Sequence, residues 1–507
     1  MLTRKKVQTT IFLIIGILIL INFISDRIFF RLDFTADQRY SLSNATKTIL
    51  KNLDEPVTVT AYFSENLPPD VERVRNDFRD MLVEYTNASD GNLVYEFVNP
   101  NESQELEIKA QQSGISPIMI NVREKDQVKQ QKAYLGAVIQ MGNKKEVIPF
   151  IQPGAAMEYA LSTSIKKISL KTKPKIGLLQ GNGEPKLSEM QQLNKALSVL
   201  YNIQPVKFND TLGVPGNIKT LMIIAPKDTI NPNYFKYLDE FVKRGGRLLI
   251  AINRVKGDFQ TAKGDAVSTG LADWLKNYGV NVEQNFVVDA SCTNVMVRQQ
   301  EGMFIMNTPV KFPYIPVITK FADHPITKGL ESVMMPFVSS IKIEPKDSTE
   351  KIYPLALSSK KSGIENPPVY FNISKRWGPT DFNLSELPVA VAVEGKLKNN
   401  VNIKMVVFGD GDFVINGEGQ KAQRLQKDNI SLMANAVDWL SDDTGLVELR
   451  TKGVTSRPID PSLEAGTKTL LKYLNFLLPI LLIIFYGIYR SQKRKKIREK
   501  LKNTHYV

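Results

Sequence analysis

Two long apolar runs stand near the two ends of the chain, and the apolar positions between them recur at short periods. Tyr473 to Tyr489 reads YLNFLLPILLIIFYGIY. Taken back to Leu470, this run is long enough to cross the roughly 30 Å hydrocarbon layer as a helix, with Lys472 snorkelling at one end. Val7 to Ser25 (VQTTIFLIIGILILINFIS) is a second such run. Its apolar stretch, Ile11 to Ile24, also has the length of a secretory-signal core. No small-x-small cleavage pattern follows in Ser25-Asp26-Arg27-Ile28-Phe29-Phe30, which favours an uncleaved anchor. Residues 1–25 are therefore expected to be a tail and first span, and residues 470–489 a second span.

Between the runs, the periods change from element to element. Ser43 is placed to cap a helix whose Ala45, Ile49, Leu50 and Leu53 share a face. Pro56 to Phe63 (PVTVTAYF) alternates with period two, as a strand does. Val71, Val74, Phe78, Met81, Leu82 and Tyr85 then follow helical spacing up to Gly91. Strands are predicted at Leu93–Val98, at Ile118–Val122 and on either side of the Gly142-Asn143 turn, with a helix from about Met157 to Leu170. The order β-α-β-β-β-α behind a short helix suggests a small thioredoxin-like α/β domain over residues 26–170. It has no Cys-x-x-Cys, so its redox chemistry is absent.

A second α/β domain begins at residue 171. Lys175–Leu179 (KIGLL) reads as a buried strand, and Leu187, Met190, Leu193, Leu197 and Leu200 form one helical stripe. Leu221–Ala225 is apolar throughout, as in a parallel strand covered on both faces. Asn231-Pro232 suits a helix start, and Gly245-Gly246 a stop before the strand Arg247–Ile252. A helix carrying Leu271, Trp274, Leu275 and Tyr278 leads to a strand ending at Asp289. Repeated βα units predict an open, mostly parallel sheet over residues 171–290. Residues 291–400 are rich in proline and short β-prone runs, and read as a β-rich insertion. The α/β pattern returns over 401–450: a strand at Val401–Phe408, a loop GDGDFVIN, and a helix carrying Ile430, Met433, Val437 and Leu440 with Asn429 as its cap. After Leu446–Leu449, residues 451–469 form a spacer to the second span.

Charge sharpens this outline. Of the net charge of +14, +3 lies in the first ten residues (Arg4, Lys5, Lys6) and +7 in residues 490–507, which leaves +4 for the middle. A nucleic-acid-binding face is therefore not expected. Both basic clusters lie on the terminal side of their apolar runs, which places both tails in the cytoplasm and residues from about Asp26 to Thr469 across the membrane. In a bacterium that compartment is the periplasm, and the membrane is the inner one. The single cysteine, Cys292, permits no intramolecular disulfide.

Two loops could carry chemistry. Gly181-Asn182-Gly183-Glu184-Pro185 follows a buried strand and precedes a helix, so its amides could cradle an anion; a tight strand-to-helix turn accounts for the same glycines. It is neither a dinucleotide fingerprint nor a P-loop. Gly409-Asp410-Gly411-Asp412-Phe413 ends another apolar strand, at the edge where open sheets bind ligands. Glu184, Asp410 and Asp412 converging there could hold a hard cation or act as acid and base. Alternatively, Asp410 caps the turn and Asp412 starts a helix. His324 and His505 are the only histidines, so neither a catalytic triad nor a histidine-rich metal site is expected, and no cofactor is implied.

The succession RLDFTADQRYSLSNAT, PVTVTAYFSENLPP, LLQGNGEP, FVKRGGRLLIAIN and VVFGDGDFVIN between two anchors resembles the gliding-motility-associated ABC-transporter auxiliary proteins of the GldG type. The resemblance covers nearly the whole chain. It implies an integral membrane accessory protein working with a separate permease and ATPase, and a central domain similar to class I glutamine amidotransferases but without their nucleophile. In the family it resembles, many members carry histidine in a Gly-His-Gly-Glu loop where this chain has Asn182. Two functions fit these residues: a non-enzymatic auxiliary that binds a ligand or partner through Gly181, Asn182, Gly183, Glu184, Asp410 and Asp412, and a membrane-tethered amidotransferase-like hydrolase acting at the same edge. The residue inventory favours the first, because no activated nucleophile is visible.

Overall fold

The computed structural model describes residues 13–14, 41–124, 127–151, 156–170, 172–209, 211–301, 304–345, 351–396, 402–419, 422–441 and 465–502. It comprises two units, Met1–Thr455 and Ser456–Val507. The N-terminal apolar run (apart from Leu13 and Ile14) and residues 442–464, with the spacer up to residue 464, lie outside the described residues.

From residue 41 on, the first element of the larger unit is α1 (Asn44–Lys51). Ser43 Oγ accepts from the Thr46 amide at 3.1 Å, the capping bond its sequence predicts. Next come β1 (Val57–Phe63), α2 (Pro69–Ala88) and β2 (Leu93–Val98). They are followed by α3 (Gln104–Gln112), β3 (Ile118–Glu124), β4 (Gln127–Ala133), β5 (Leu135–Met141), β6 (Lys144–Ile148) and α4 (Ala156–Ser169). Strands β2-β1-β5-β6 form one sheet, with β1 parallel to β2 and antiparallel to β5. The α2 crossover makes the parallel pairing possible and buries Val74, Phe78, Leu82 and Tyr85. α3 and β4 were not expected. α3 buries only Ala110 and β4 reads QVKQQKA, so neither shows an apolar period; β4 pairs with β3 in a separate ribbon.

A buried polar knot joins α1, α2 and α4. Glu158 Oε1 accepts from the Ser43 amide and from Thr46 Oγ1, each at 2.8 Å. Ser162 Oγ lies 2.8 Å from Thr46 Oγ1 and 2.5 Å from the Tyr85 hydroxyl. A buried carboxylate is tolerated because donors converge on it. Burial, and then the Glu158 charge, raise the Tyr85 pKa well above the ordinary tyrosine value, so the phenol keeps its proton.

An eight-stranded sheet dominates the rest. It contains β7 (Lys175–Leu179), β8 (Asn202–Val206), β9 (Thr220–Ile224), β10 (Arg247–Ala251), β11 (Lys320–Phe321), β12 (Lys351–Leu357), β13 (Pro388–Lys396) and β14 (Asn402–Phe408). Their order is β11-β12-β13-β14-β10-β9-β7-β8. The five from β14 to β8 are parallel, and β11, β12 and β13 run antiparallel. The sheet is therefore parallel over its five strands from residues 171–290 and 401–450, with an antiparallel edge. The reason lies in the proline-rich stretch after residue 290, which contributes three of its strands. Among the described residues of that stretch there is no helix, as its pattern predicts.

Short helices α5 (Gln191–Leu197), α6 (Tyr234–Lys243) and α7 (Leu271–Leu275) and the longer α8 (Lys427–Ser441) pack on this sheet. Two helix starts differ from expectation. α6 begins at Tyr234, and Asn231 Oδ1 instead accepts from the Asn233 amide. Asn429 lies inside α8, where its side chain bonds Met334 N, Met334 O and Phe413 O. One apolar core runs from Leu42 to Leu440 through both sheets.

In the smaller unit, α9 (Ala465–Lys502) is one continuous helix with Pro479 inside it. Among the described residues it is the one helix long and apolar enough to cross a membrane, and its apolar side chains are exposed.

Candidate functional site

β7, β9, β10 and β14 are parallel neighbours, so the loops that follow them leave one edge of the sheet. Both loops singled out in the sequence are therefore on that edge, with the loops after Ile224 and Ala251 between them. Their downstream segments also meet. The Asn416 amide donates to Glu189 O at 2.8 Å, and the Asn416 side chain bonds Gln192, which also accepts from the Leu425 amide.

The first loop satisfies itself. Gly181 and Gly183 have φ of 126° and 79°, a region that glycine alone enters without strain. That conformation turns buried Glu184 back on its own loop: Oε2 accepts from the Asn182 amide at 2.7 Å and Oε1 from Asn182 Nδ2 at 3.0 Å. Asn182 O in turn accepts from the amides of Lys227 and Asp228, each at 2.9 Å. A Cβ on Gly183 would lie 2.9 Å from Lys227 Cβ, so the loop fits closely against the next one. Glu184 is thus committed to loop structure.

The second loop does not close its account. Asp410 is fully buried, and its Oδ1 accepts from the Asp412 amide at 2.7 Å. Among the described residues, Oδ2 has no hydrogen-bond partner. Burial raises the Asp410 pKa well above the ordinary carboxylate value, the Asp412 charge adds to this, and the amides of Asp412 and Phe413 oppose it. Asp412 is raised by burial too, against its hydrogen bond to Asn253 and the charge of Lys227. Asn253 Oδ1 also takes the Gly411 amide at 2.7 Å, tying the loop after β10 to the loop after β14.

Ala225, at the end of β9, has a φ of 44°, a left-handed conformation that is strained for a residue with a Cβ. A Cβ on Gly411 would stand 2.7 Å from Ala225 Cβ, so glycine is required at 411 for the two loops to touch. At this strained turn the chain has a methyl group and no nucleophile. Ala225, Lys227 and Asn253 were not anticipated as neighbours of the aspartates. Only sheet order brings them there, and no spacing in the sequence encodes it.

His505 lies outside the described residues, and His324 and Cys292 lie elsewhere in the fold. His324 Nδ1 accepts from the Ile326 amide at 3.2 Å, and burial, with help from Lys404, lowers its pKa to about 4. That histidine is a neutral turn-former beside Trp439. Burial pushes the Cys292 thiol above its ordinary value, the opposite of what a nucleophile needs. Among the described residues, no group of three or more His, Cys, Asp or Glu side chains could hold a metal ion.

Comparison with known proteins gives two family matches. Residues 173–442, more than half of the chain, match the family described as an ABC-type uncharacterized transport system. Residues 36–140 match a domain of unknown function. An uncharacterized protein of Borreliella burgdorferi is 24% identical over 492 residues, covering 92% of this chain and 94% of its own. Among solved structures, the mmIFT52 N-terminal domain is 15% identical and covers 53% of this chain and 97% of its own, with a TM-score of 0.35. A ThuA-like protein from Parabacteroides merdae is 11% identical, with a TM-score of 0.28, over 57% of this chain and 94% of its own.

Proposed function

The chain belongs to the family of ABC-type uncharacterized transport systems, and from that premise we propose that it is a non-enzymatic auxiliary subunit that binds a ligand or partner at the sheet edge. A separate permease and ATPase carry out transport. The observation that carries the binding reading is Asp410, a fully buried carboxyl with one oxygen unpartnered among the described residues. Such a group costs stability, commonly about 1–3 kcal/mol. Costly polar groups of this kind concentrate at functional sites. Asp412, Asn253 and Lys227 surround the same loop, while Glu184, Asn182 and the two glycines hold the neighbouring loop in shape. Alanine at the strained turn, the raised Cys292 thiol and the engaged His324 all support a binding role over the hydrolase reading.

In this reading the chain is anchored in the bacterial inner membrane by Val7–Ser25 and Leu470–Tyr489, with both tails cytoplasmic and the domains periplasmic. The N-terminal sheet order and its α2 crossover support a thioredoxin-like unit, and the strand-and-loop layout of the larger sheet supports an amidotransferase-like one. The GldG-type subclass, with a role in gliding motility or secretion, belongs to the same proposal.

Substitution in cells tests it. Asp410→Asn and Asp412→Asn, at normal protein levels, should abolish the transport-dependent phenotype, whereas Cys292→Ala and His324→Ala should leave it intact. A null phenotype from either of the latter in folded protein would favour the hydrolase.

A further inference from the structure

The apolar part of α9 ends at Tyr489, but the helix continues to Lys502 without a break. Arg490, Lys493, Arg494, Lys495 and Lys496 follow directly and are exposed, and Glu499 is the only acidic residue between Arg490 and Lys502. At about 100° per residue, the five basic positions point around the whole circumference of the helix, with no gap wider than roughly a quarter to a third of a turn. No apolar stripe interrupts them, because residues 490–496 contain no apolar side chain, and Ile497 and Leu501, one turn apart, come after them. The extension therefore does not have the face of a helix that lies flat on a bilayer. It is a rod with a collar of cations at its base.

Depth decides what the collar meets. At about 1.5 Å of rise per residue, Arg490 to Lys496 occupy the first ~9 Å beyond the apolar run, and Lys502 lies ~18 Å beyond it. The headgroup layer is about 5–8 Å thick on each side, and electrostatic attraction fades within a Debye length of about 8 Å. The collar lies inside that reach, and long side chains can bend back toward the phosphates. Arg498, Lys500 and Lys502 stand at or past its limit. Tyr486 and Tyr489, at the same junction, are the residue type that settles at headgroup depth.

We propose that Arg490, Lys493, Arg494, Lys495 and Lys496 form a binding collar for anionic phospholipid headgroups. The inference rests on the reading of Leu470–Tyr489 as a membrane span. Anionic lipid is the occupant that fits, because cations on every side of one helix suit many mobile phosphates around it rather than one flat protein surface.

The test uses the full chain reconstituted into vesicles of equal phosphatidylcholine and phosphatidylglycerol, extracted in mild detergent, with retained lipid quantified by mass spectrometry. Phosphatidylglycerol should be enriched over phosphatidylcholine by about five-fold or more, one cation's worth at the membrane surface, and less so in high salt. The variant R490Q/K493Q/R494Q/K495Q/K496Q should lose the enrichment, and R498Q/K500Q/K502Q should keep most of it. Equal retention of the two lipids by the unaltered chain would overturn the collar. So would equal losses in the two variants, which would point to diffuse attraction of lipid by the whole rod rather than to a collar at its base. Release of the chain from vesicles by alkaline carbonate would remove the span itself, and the collar with it.

Discussion

Asp410→Asn separates the energetic account of the candidate site from every other feature of the fold. The substitution keeps the side chain's shape and leaves Oδ1 able to accept from the Asp412 amide. It removes the ability to ionise and puts an amide donor in the place of Oδ2. In the unfolded chain an aspartate titrates near 3.9, whereas in the folded protein burial holds the Asp410 pKa well above the ordinary value. A raised pKa means that the folded state binds the proton more tightly. The contribution to stability is therefore fully present below the unfolded pKa and is lost as pH rises toward the folded one. Each unit of separation is worth about 1.4 kcal/mol, against a total stability of roughly 5–15 kcal/mol for a typical domain. Urea unfolding of the full chain in detergent, followed by circular dichroism from pH 4 to pH 8, reads this directly. The stability difference between variant and parent should move in the variant's favour by up to about 1.4 kcal/mol per pH unit across the window above pH 4. An amide stranded next to the vacant acceptor position shifts the variant's curve by a constant, so the slope is diagnostic. Parallel curves for the two proteins would show that Asp410 is not a buried, proton-retaining carboxyl, and would refute the reasoning.

Three further outcomes follow from contacts at or near the same edge. Gly411→Ala should destabilise the fold by about 1–3 kcal/mol in urea titration, because its Cβ would stand 2.7 Å from Ala225 Cβ and 2.9 Å from that residue's backbone; an unchanged midpoint would mean that the two loops do not touch. Glu184→Ala should cost about 1–3 kcal/mol by stranding the buried Asn182 amide, and should raise hydrogen exchange at the amides of Lys227 and Asp228. His324 is held neutral, with its pKa lowered from 6.5 to about 4, so its contribution is present above pH 6.5 and is lost as pH falls toward 4. Direct titration by NMR should find that low value, and a pKa near 6.5 would overturn the buried-turn assignment.

Elements whose burial follows a clear period were legible in the sequence. Leu93–Val98 and Lys175–Leu179 have the predicted boundaries, because their apolar residues sit between turn residues. α3 and β4 leave no such mark, because α3 buries only Ala110 and QVKQQKA has no apolar period. Asn202–Val206 was hidden in the same way, since NIQPV is a polar edge strand. The proline-rich stretch was read as an insertion, yet β12 and β13 lie in the central sheet. Pairing across more than thirty residues leaves no local mark. The candidate loops were found because glycine beside acid at a strand end is a local signal. What distinguishes them was not legible: Glu184 is consumed by its own loop, whereas Asp410 is not, and the difference depends on which neighbours the sheet order supplies.

The central claim is that this chain works as an auxiliary subunit beside a permease and an ATPase. The most direct measurement is affinity purification of the tagged full chain from its native membranes in mild detergent, with quantitative mass spectrometry of the eluate. An ABC permease and an ABC ATPase should appear in constant ratio to the tagged chain across independent preparations. Functional chain recovered free of both subunits would contradict it.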